Sequence, residues 1–283
     1  MAELLKGIDV VRAVSEELKL KADALKEAGI TPCLCVIRAG NRDDDVAYLA
    51  GIEKRCGIIG IEVKNIVLDE TATTGEAVAE IEKAGADSGI HGILIMRPMP
   101  KHIDDGAICK ALDPKKDVDG ITDLAMADVF AGRQGAFAPC TAEACIELLD
   151  YYKIDVRGKN VTVIGRSLVI GKPLALMLIK RDATITVCHT KTRDMREVCR
   201  RADIVVAAAG VPKMVDASYL CEGQTVIDVG INVDADGKLC GDVDFDSASD
   251  VVTAITPVPG GVGTVTSTIL ARHVIQAAES KNN

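Results

Sequence analysis

The 283-residue sequence contains no tryptophan, has only 2% aromatic residues and lacks an excess of positive charge, since its formal net charge is −9. Proteins that bind nucleic acid use basic surfaces to contact phosphates and aromatic side chains to stack on bases. The sequence offers neither feature. Nucleic acid is therefore not an expected partner.

Long apolar runs are also missing. None approaches the roughly 20 residues that span a bilayer. The N-terminal sequence, MAELLKGIDVVR, carries acidic and basic residues where a signal peptide needs an apolar core. No membrane is expected as a partner, and we predict a cytoplasmic protein. Hydrophobic residues make up 48% of the chain, which supplies enough core for two domains.

Ten cysteines are present, but none are spaced C-x-x-C and only four histidines accompany them. Cys33 and Cys35 alternate along a predicted strand, whereas Cys109, Cys145 and Cys199 fall in helical patterns. We interpret the cysteines as buried, reduced thiols that pack as small apolar side chains, which indicates a reducing compartment. No metal site is predicted.

The most informative stretch is NVTVIGRSLVIGKP, residues 160–173. A β-branched run meets Gly165, Arg166 and Ser167, and Gly171 then opens an apolar segment long enough for a helix. A strand, a glycine turn and a helix N-terminus in this order let backbone N–H groups approach a phosphate. The spacing G-x-S-x-x-x-G departs from G-x-G-x-x-G, so an ordinary turn of an α/β sheet is the alternative.

A second predicted strand, residues 183–189, follows about 20 residues later. A fold specific for NAD places an Asp or Glu at its end to bind the ribose hydroxyls. This strand instead ends in His189 and Thr190, with a lysine and an arginine close behind. Basic and hydroxyl side chains suit a ribose 2′-phosphate, so the sequence favours NADP over NAD, with a solvated strand end as the alternative.

Alternating helices and strands run through both halves of the chain and predict the α/β class with a parallel sheet. Helices are predicted over residues 4–28, 46–56, 74–84, 142–152 and 266–278, and strands over residues 33–37, 61–68, 204–207 and 225–229. The last helix has no strand left to return to in its own half. We therefore expect it to pack back on the first domain.

Three further segments are candidates for ligand contacts. A strand ends in Met96-Arg97-Pro98, at the edge where open α/β sheets bind ligands. Asp119 lies in the turn KDVDG, where a carboxylate can accept hydrogen bonds from a nitrogen-rich ring; a surface turn is the commoner case. Near the end, residues 255–263 have three glycines in four positions, which suggests either close approach to a flat ligand or a flexible loop.

The chain resembles the methylenetetrahydrofolate dehydrogenase/cyclohydrolase family over essentially its full length. The resemblance rests on segments in the family's order: AGNRDDDVAY, GILIMRPMP, KDVDG, PCT, VTVIGRS with GKP, VCHTKT, DVGIN and TPVPGGVG. It implies two α/β domains flanking a cleft, with residues 1–140 and 265–283 as the folate-binding catalytic domain and 141–264 as a Rossmann-type NAD(P)-binding domain. It also implies a C-terminal helix returning to the first domain, tetrahydrofolate derivatives as ligands, and a homodimer.

The resemblance also implies roles for individual residues. Tyr48 would lie against the aminobenzoate ring and Asp119 would bind the pterin. The loop of Pro257, Gly260 and Gly261 would line the space between folate and nicotinamide. Residues that match the family's cofactor contacts are Gly165, Arg166, Ser167, Thr190 and Ile231. The glycine turn and the basic strand end add Gly171 and His189 to the predicted cofactor-binding residues.

The positions that depart from the family pattern concern its hydrolytic step. The family has a lysine four residues after the tyrosine, which assists water attack, and this chain has Ile52 there. Lys54 cannot replace it, because the i+6 position lies about 240° round a helix and the i+4 position about 40°. The glutamine that partners the lysine is Met96, and the serine three residues before the tyrosine is Asp45.

An amine can take a proton from water, and neither isoleucine nor methionine can. General acid–base assistance is worth about 10²–10⁴-fold. Hydride transfer depends mainly on positioning and a dry site, with the redox chemistry carried by the cofactor. We therefore predict an NADP-dependent methylenetetrahydrofolate dehydrogenase with weak or absent cyclohydrolase activity, in which Tyr48, Ile52, Met96 and Asp119 occupy the catalytic positions.

Two alternatives remain open. One is a bifunctional enzyme in which a different residue supplies the base, and the other is a non-catalytic folate- or nucleotide-binding relative. The role of Asp45 is open as well. It could stabilise a positive charge on the substrate, or it could cap a helix.

Overall fold

The computed structural model describes residues 2–280. The strands are β1 (Glu3–Leu4), β2 (Cys33–Ala39), β3 (Glu62–Leu68), β4 (Gly92–Ile95), β5 (Asn160–Ile164), β6 (Thr184–Cys188), β7 (Ile204–Ala207), β8 (Thr225–Asp228), β9 (Asn232–Val233), β10 (Leu239–Cys240) and β11 (Ala254–Ile255). The helices are α1 (Gly7–Glu27), α2 (Asp43–Ile59), α3 (Thr74–Ala86), α4 (Asp105–Ala111), α5 (Asp123–Ala131), α6 (Cys140–Tyr151), α7 (Gly171–Ile179), α8 (Met195–Arg200), α9 (Phe245–Ser249) and α10 (Val262–Ser280). The predicted α/β class is confirmed.

The chain divides into two compact units. The six-stranded unit contains the described residues up to Arg12 and Thr141–Thr266, and the three-stranded unit contains Ala13–Cys140 and the described residues from Ser267 onward. The predicted first domain comprises residues 1–140 and 265–283, so it differs from the three-stranded unit in its first twelve residues and at residues 265–266. The functions predicted for the two ranges remain predictions.

The sheet of the six-stranded unit has the order β1-β11-β8-β7-β5-β6, and all neighbouring strands are parallel. All four residues of β7 are buried, as expected for a strand covered on both faces. The chain places β6 on one side of β5 and then β7 on the other. The winding therefore reverses between β5 and β7, and open parallel sheets bind ligands beyond the carboxyl ends of strands at such a point.

The three-stranded unit has a parallel sheet in the order β3-β2-β4. All residues of the central strand β2 are buried. A parallel bridge between Ile93 and Asp117 continues this sheet beyond β4. Because the bridge is parallel, Met96 and Asp119 follow at the same edge of the sheet, the edge of the carboxyl ends.

The N-terminus differs from the prediction of a helix from residue 4. Glu3 and Leu4 form β1, because the Glu3 N–H donates to the Thr253 carbonyl at 2.8 Å and the Leu5 N–H to the Ile255 carbonyl at 2.9 Å. The helix α1 begins only at Gly7. Pairing with β11, which lies far away in sequence, overrides the local helical pattern.

The last helix, α10, begins at Val262, before the predicted position, and passes from one unit to the other. From Ser267 onward it belongs to the three-stranded unit, which confirms that it returns to the first domain. Its fully buried side chains supply the reason, since they complete the apolar core of that unit. They include Ile269, Leu270, Ala271, Val274, Ile275 and Ala278.

All ten cysteines are free thiols, and only Cys109 and Cys221 are partly exposed. The prediction that they pack as small buried side chains is confirmed for the rest. Burial raises the pKa of the Cys35 thiol to about 11. Within residues 2–280, no helix has the length and apolar character needed to span a membrane, and no cluster of His, Cys, Asp and Glu has the arrangement of a metal site.

Candidate active site

The turn after β5 requires glycine at its first position. Gly165 has φ +126°, and a Cβ added there would lie 2.2 Å from the Ala208 carbonyl oxygen. The Gly165 N–H donates to the Cys188 carbonyl at 2.9 Å, which ties the turn to the end of β6. Arg166 and Ser167 follow and are exposed. Backbone, rather than side chain, therefore forms the surface beyond β5.

The N-terminus of α7 lies directly against this turn. A Cβ added to Gly171 would lie 2.1 Å from the Gly165 carbonyl oxygen, so the two backbones are in contact. The Ser167 Oγ accepts the N–H of Ile170 at 3.1 Å, and Ile170 itself makes no side-chain capping bond to the helix. The first N–H groups of a helix have no intrahelical partners, and a phosphate is a suitable acceptor for them.

The end of β6 forms a second tight turn at the same edge of the sheet. The His189 N–H donates to the Thr192 Oγ1 at 2.9 Å, and the His189 Nδ1 accepts the Lys191 N–H at 3.1 Å. Thr190 is exposed, as are Lys191 and Arg193. The turn thus presents hydroxyl and basic side chains, which suits a phosphate on the ribose better than a free 2′-hydroxyl.

The glycine loop after β11 approaches other backbone segments of the six-stranded unit closely. The Gly7 N–H donates to the Gly260 carbonyl at 2.8 Å. A Cβ added to Gly261 would lie 2.5 Å from the Pro257 carbonyl oxygen. The exposed Ile231 lies beside this loop, since its Cδ1 is 3.3 Å from the Cβ position of Gly263. These close contacts favour a packed loop over a plain flexible loop.

Two buried aspartates hold the loops beyond β7 and β8, and sequence reasoning missed them. The Asp242 carboxylate accepts the N–H groups of residues 209–211 at 2.5–2.9 Å and the Asn232 Nδ2 at 2.8 Å. Burial raises the pKa of Asp228 to about 6. The donors to Asp228, each at 3.0 Å, are the N–H groups of Gly230, Asp242 and Val243. The sequence signal for this network is an aspartate at each of two strand exits, in the segments DVG and GDVD.

In the three-stranded unit, Tyr48 and Ile52 lie one turn apart on α2. Tyr48 is 42% exposed, whereas Ile52 is 1% exposed. The buried face of α2 consists of Asp45, Leu49, Ile52, Cys56 and Ile59. Lys54 is exposed and is absent from that face, as the helical angle predicts.

Asp45 does not cap the helix, and its proposed interaction with a positive charge on the substrate stays a prediction. The helix begins at Asp43 with Arg42 at the cap position, so Asp45 is the third residue of its first turn. Its carboxylate accepts from the Arg42 Nε at 2.9 Å and from the Arg42 Nη2 at 2.7 Å. Its negative charge is therefore paired within α2.

Met96 directly follows β4. Its N–H donates to the Ile37 carbonyl at 2.8 Å, and its side chain is 5% exposed. The next residue, Arg97, forms a bidentate ion pair with Asp105, with 2.8 Å between Nε and Oδ1. Burial opposes the charge of the guanidinium, but the bond to Asp105 and its charge raise the pKa of Arg97 overall. Arg97 therefore cannot serve as a proton acceptor.

Asp119 lies in a tight turn that is fixed on both sides. The Asp117 carboxylate accepts the N–H groups of Ile121 at 3.0 Å and Thr122 at 2.8 Å, so Asp117 is structural. Gly120 has φ +66°, and a Cβ there would lie 2.6 Å from the Phe137 carbonyl oxygen. Asp119 is half-buried in this turn, and the N–H groups of Ile121 and Thr122 bind the Asp117 carboxylate rather than that of Asp119.

Burial raises the pKa of Asp119 to about 6. A hydrogen bond from the Cys140 thiol lowers it, the charge of Asp117 raises it, and His273 and Arg97 lower it. Near neutral pH the group is an ionised carboxylate in a largely desolvated place. Such a carboxylate binds N–H donors strongly.

The six-stranded unit combines a glycine turn, a helix N-terminus and a basic strand end at the switch point of a parallel sheet, which defines a Rossmann-type NAD(P)-binding protein. The match to known proteins is more specific. The chain belongs to the tetrahydrofolate dehydrogenase/cyclohydrolase family, because the family's catalytic domain matches residues 5–119 and its NAD(P)-binding domain matches residues 139–282. The resemblance inferred from the sequence motifs is confirmed.

Similar proteins cover the whole chain. The bifunctional protein FolD of Clostridioides difficile is 44% identical over 281 residues, which are 99% of this chain and 98% of that protein. The structure of bifunctional FolD from Campylobacter jejuni has a TM-score of 0.97 at 37% identity and covers 99% of this chain and 100% of that one. The Trypanosoma brucei FolD, solved with NADP cofactor and an inhibitor, has a TM-score of 0.94 at 33% identity and covers 100% of this chain and 99% of that one.

The predicted site residues fall into two sets. Those of the six-stranded unit are Gly165, Arg166, Ser167, Gly171, His189, Thr190, Ile231, Pro257, Gly260 and Gly261. Those of the three-stranded unit are Tyr48, Ile52, Met96 and Asp119. The loop predicted to contact folate thus belongs to the unit that carries the cofactor turn. The roles of these residues remain predictions.

Proposed function

We propose that this protein is an NADP-dependent methylenetetrahydrofolate dehydrogenase with weak or absent cyclohydrolase activity. The observation that carries the proposal is the buried isoleucine on α2, one turn after Tyr48. The side chain of Ile52 is 1% exposed, and it is a hydrocarbon at the position where the family pattern has a lysine. Met96 is buried likewise, at the position of the glutamine that would partner this lysine.

The residues present fit a dinucleotide. A Cβ at Gly165 or Gly171 would clash with a backbone oxygen, so only glycine allows the bare backbone turn that would bind the phosphates. Gly165, Ser167 and the start of α7 would hold the pyrophosphate. The turn of His189 and Thr190 would hold the 2′-phosphate, which favours NADP. When bound, NADP supplies the hydride acceptor for the reaction.

On the substrate side, the ionised Asp119 would accept hydrogen bonds from the N–H groups of the pterin ring. The exposed ring of Tyr48 would lie against the aminobenzoate. Both contacts hold the methylene carbon in place. Positioning of this kind is the main contribution that a protein makes to hydride transfer.

The hydrolytic step needs a proton acceptor for the attacking water. Ile52 and Met96 cannot accept a proton, Lys54 lies off the buried face of α2, and Arg97 is held by Asp105. Loss of general base assistance lowers a rate by about 10²–10⁴-fold. The methenyl product is therefore expected to leave the site largely unhydrolysed.

The bifunctional alternative has support of its own, because the relatives from C. difficile and C. jejuni are both named bifunctional. If it holds, a different residue supplies the base. We also expect a homodimer, which light scattering on the purified protein would test.

Measurement of both half-reactions tests the proposal. We expect NADPH formation from methylenetetrahydrofolate, and methenyl-folate hydrolysis at less than about one-hundredth of that rate. Comparable rates would support the bifunctional alternative. Ligand binding by calorimetry without any NADPH formation would support a non-catalytic relative.

Two lysine variants on α2 sharpen the test. Ile52→Lys combined with Met96→Gln is expected to raise hydrolysis by about tenfold or more. Ile58→Lys is the matched control, since Ile58 is 50% exposed on the same helix and is expected to change nothing. A thermal melt shows whether the buried lysine is tolerated. If a folded double variant hydrolyses no faster, the missing lysine is not the cause.

A further inference from the structure

Two buried side chains that the proposed mechanism does not use contact the turn of Asp119. Cys140 is the first residue of α6 and is 4% exposed, and His273 lies on α10 and is 1% exposed. Both belong to the three-stranded unit, as Asp119 does. Their shared neighbour is the carbonyl group of Val118, the residue that precedes Asp119.

His273 donates a hydrogen bond to this carbonyl. The His273 Nδ1 lies 2.8 Å from the Val118 oxygen. A carbonyl oxygen can only accept, so Nδ1 must carry the proton. The imidazole ring also packs against Phe137, with 5.1 Å between ring centroids, which fixes its orientation.

Cys140 has two acceptors within reach. Its Sγ lies 3.4 Å from the Val118 oxygen, and the thiol also forms a hydrogen bond with the Asp119 carboxyl group. The His273 Nδ1, 3.9 Å from Sγ, is not a third acceptor, because it carries the proton donated to Val118. A thiol has one proton and cannot donate fully to both. A buried carbonyl oxygen needs a donor, and His273 already provides one. The thiol proton is therefore available to the carboxylate.

We propose that His273 is a positioning residue for Asp119: by donating to the Val118 carbonyl it leaves the Cys140 thiol to orient the Asp119 carboxylate toward the substrate. The inference rests on the proposed role of Asp119 in binding the pterin. In the proposed mechanism the buried imidazole of the last helix touches neither the substrate nor the cofactor. The inference makes this imidazole a further determinant of folate affinity.

Four variants of the full-length protein test the inference: His273→Phe, His273→Asn, Cys140→Ala, and the double variant of Cys140→Ala with His273→Phe. Phenylalanine keeps a ring but removes the donor, whereas asparagine keeps an N–H near the place of Nδ1. We expect His273→Phe to raise the KM for methylenetetrahydrofolate about tenfold and to leave the KM for NADP unchanged. We expect His273→Asn to stay within about twofold of the unchanged protein.

The pH profile separates positioning from packing. Cys140 and His273 both lower the pKa of Asp119, and the other charged groups that affect it, Asp117 and Arg97, are unchanged in every variant. The acid limb of kcat/KM for the folate is therefore expected to move to higher pH in His273→Phe and in Cys140→Ala. The folate KM of the double variant is expected to match that of Cys140→Ala alone, because both changes act on KM through one hydrogen bond. Its acid limb is expected to move further than that of Cys140→Ala only by the separate charge effect of His273.

His91→Phe is the matched control. His91 is also buried, at 5% exposure, but its Nδ1 accepts the Cys33 N–H at 3.2 Å at the amino end of β2. We expect its folate KM and pH profile to match those of the unchanged protein. Thermal melts of all variants show which of them fold.

Each failure has a distinct meaning. A folded His273→Phe variant with an unmoved acid limb, not rescued in His273→Asn, would show that His273 only packs. Additive effects of the two substitutions on the folate KM would show that the two side chains act independently, against the inference. If Asp119→Asn raises the folate KM but His273→Phe does not, the positioning role fails while the proposed function stands. If Asp119→Asn has no effect, the proposed pterin contact itself fails.

Discussion

At the residue scale, the proposed pterin contact of Asp119 predicts a lower limit for the working pH. Burial raises the pKa of this carboxyl group to about 6. In the proposed contact the ionised form would accept hydrogen bonds from ring N–H groups with both oxygens, and a protonated carboxyl group loses part of that capacity. The carboxylate is therefore competent above about pH 6 and is lost as the pH falls through that value.

We expect kcat/KM for methylenetetrahydrofolate to fall about tenfold for each pH unit below about 6, while the KM for NADP stays constant. Initial rates across the acid range measure this. Asp119→Asn is the control, because an amide does not titrate and its profile is expected to lack the limb. A limb near the ordinary aspartate pKa would show that the turn does not desolvate Asp119.

The sequence found Asp119 but not the residues around it. A carboxylate in a D-G turn next to a strand end is a local pattern, and it points to a ligand contact by itself. His273 contacts Val118 across 155 positions in sequence, and no local pattern connects them. The N-cap role of Asp45 is wrong for a different reason: its partner Arg42 is only three residues away, but the sequence predicts the start of α2 at Val46 rather than Asp43.

At the scale of elements, the contact between the turn after β5 and the start of α7 depends on Gly171. A Cβ there would lie 2.1 Å from the Gly165 carbonyl oxygen, and backbone cannot move aside as a flexible side chain can. We expect Gly171→Ala to weaken NADP binding by about tenfold or more, because the helix must shift away from the turn. Calorimetric titration with NADP measures the loss.

Gly57→Ala on α2 is the matched control for this substitution. A Cβ at Gly57 meets nothing within 4 Å. We expect this variant to bind NADP normally and to gain about 1 kcal/mol of stability, since alanine is the better helix former. Equal NADP affinity in the two variants would mean that α7 and the glycine turn do not form the phosphate site.

The loops beyond β7 and β8 depend on the Asp242 carboxylate. Asp242→Ala removes the acceptor of the N–H groups of residues 209–211 and of the Asn232 side chain. These donors are partly buried, and leaving one unsatisfied costs up to about 1–3 kcal/mol where no water replaces the acceptor. We expect a clearly lower unfolding midpoint in urea. Asp236→Ala, at an exposed position in the turn between β9 and β10, is expected to leave the midpoint unchanged.

Most helices and strands are predictable from the sequence, and the wrongly predicted ones have physical reasons. Buried strands such as β7 are short, uninterrupted apolar runs, and the sequence therefore predicts them as strands. The two residues of β1 were assigned to a helix, because their strand conformation exists only through pairing with β11. The short helices α4 and α5 begin at the caps Asp104 and Thr122. The sequence predicts no bounds for α4, although Cys109 falls in a helical pattern, and it does not predict α5.

At the scale of the whole molecule, the chain order does not follow the two units. The chain starts in the six-stranded unit, crosses after Arg12, returns after Cys140, and crosses again within α10. A sequence divided at single boundaries cannot represent this order. The alternation of helices and strands still predicted two α/β units, because each unit is built from consecutive strand–helix pairs.

The final crossing of the chain, within α10, predicts which unit loses stability when a buried side chain of this helix is shortened. Ile275 is completely buried on the part of α10 that belongs to the three-stranded unit. Ile275→Ala is expected to cost about 2–5 kcal/mol, because it leaves a cavity in that core. Local opening follows cooperative units of structure, so the loss is expected to concentrate there.

Native-state hydrogen exchange measures this directly. In Ile275→Ala we expect faster exchange of the amides of β2 and β4, with those of β5 and β7 unchanged. Ile179→Ala, at a 55% exposed position on α7, is the control and is expected to change neither set. Equal acceleration in both sheets would mean that the units open together, in which case α10 would couple their stability rather than complete one of them.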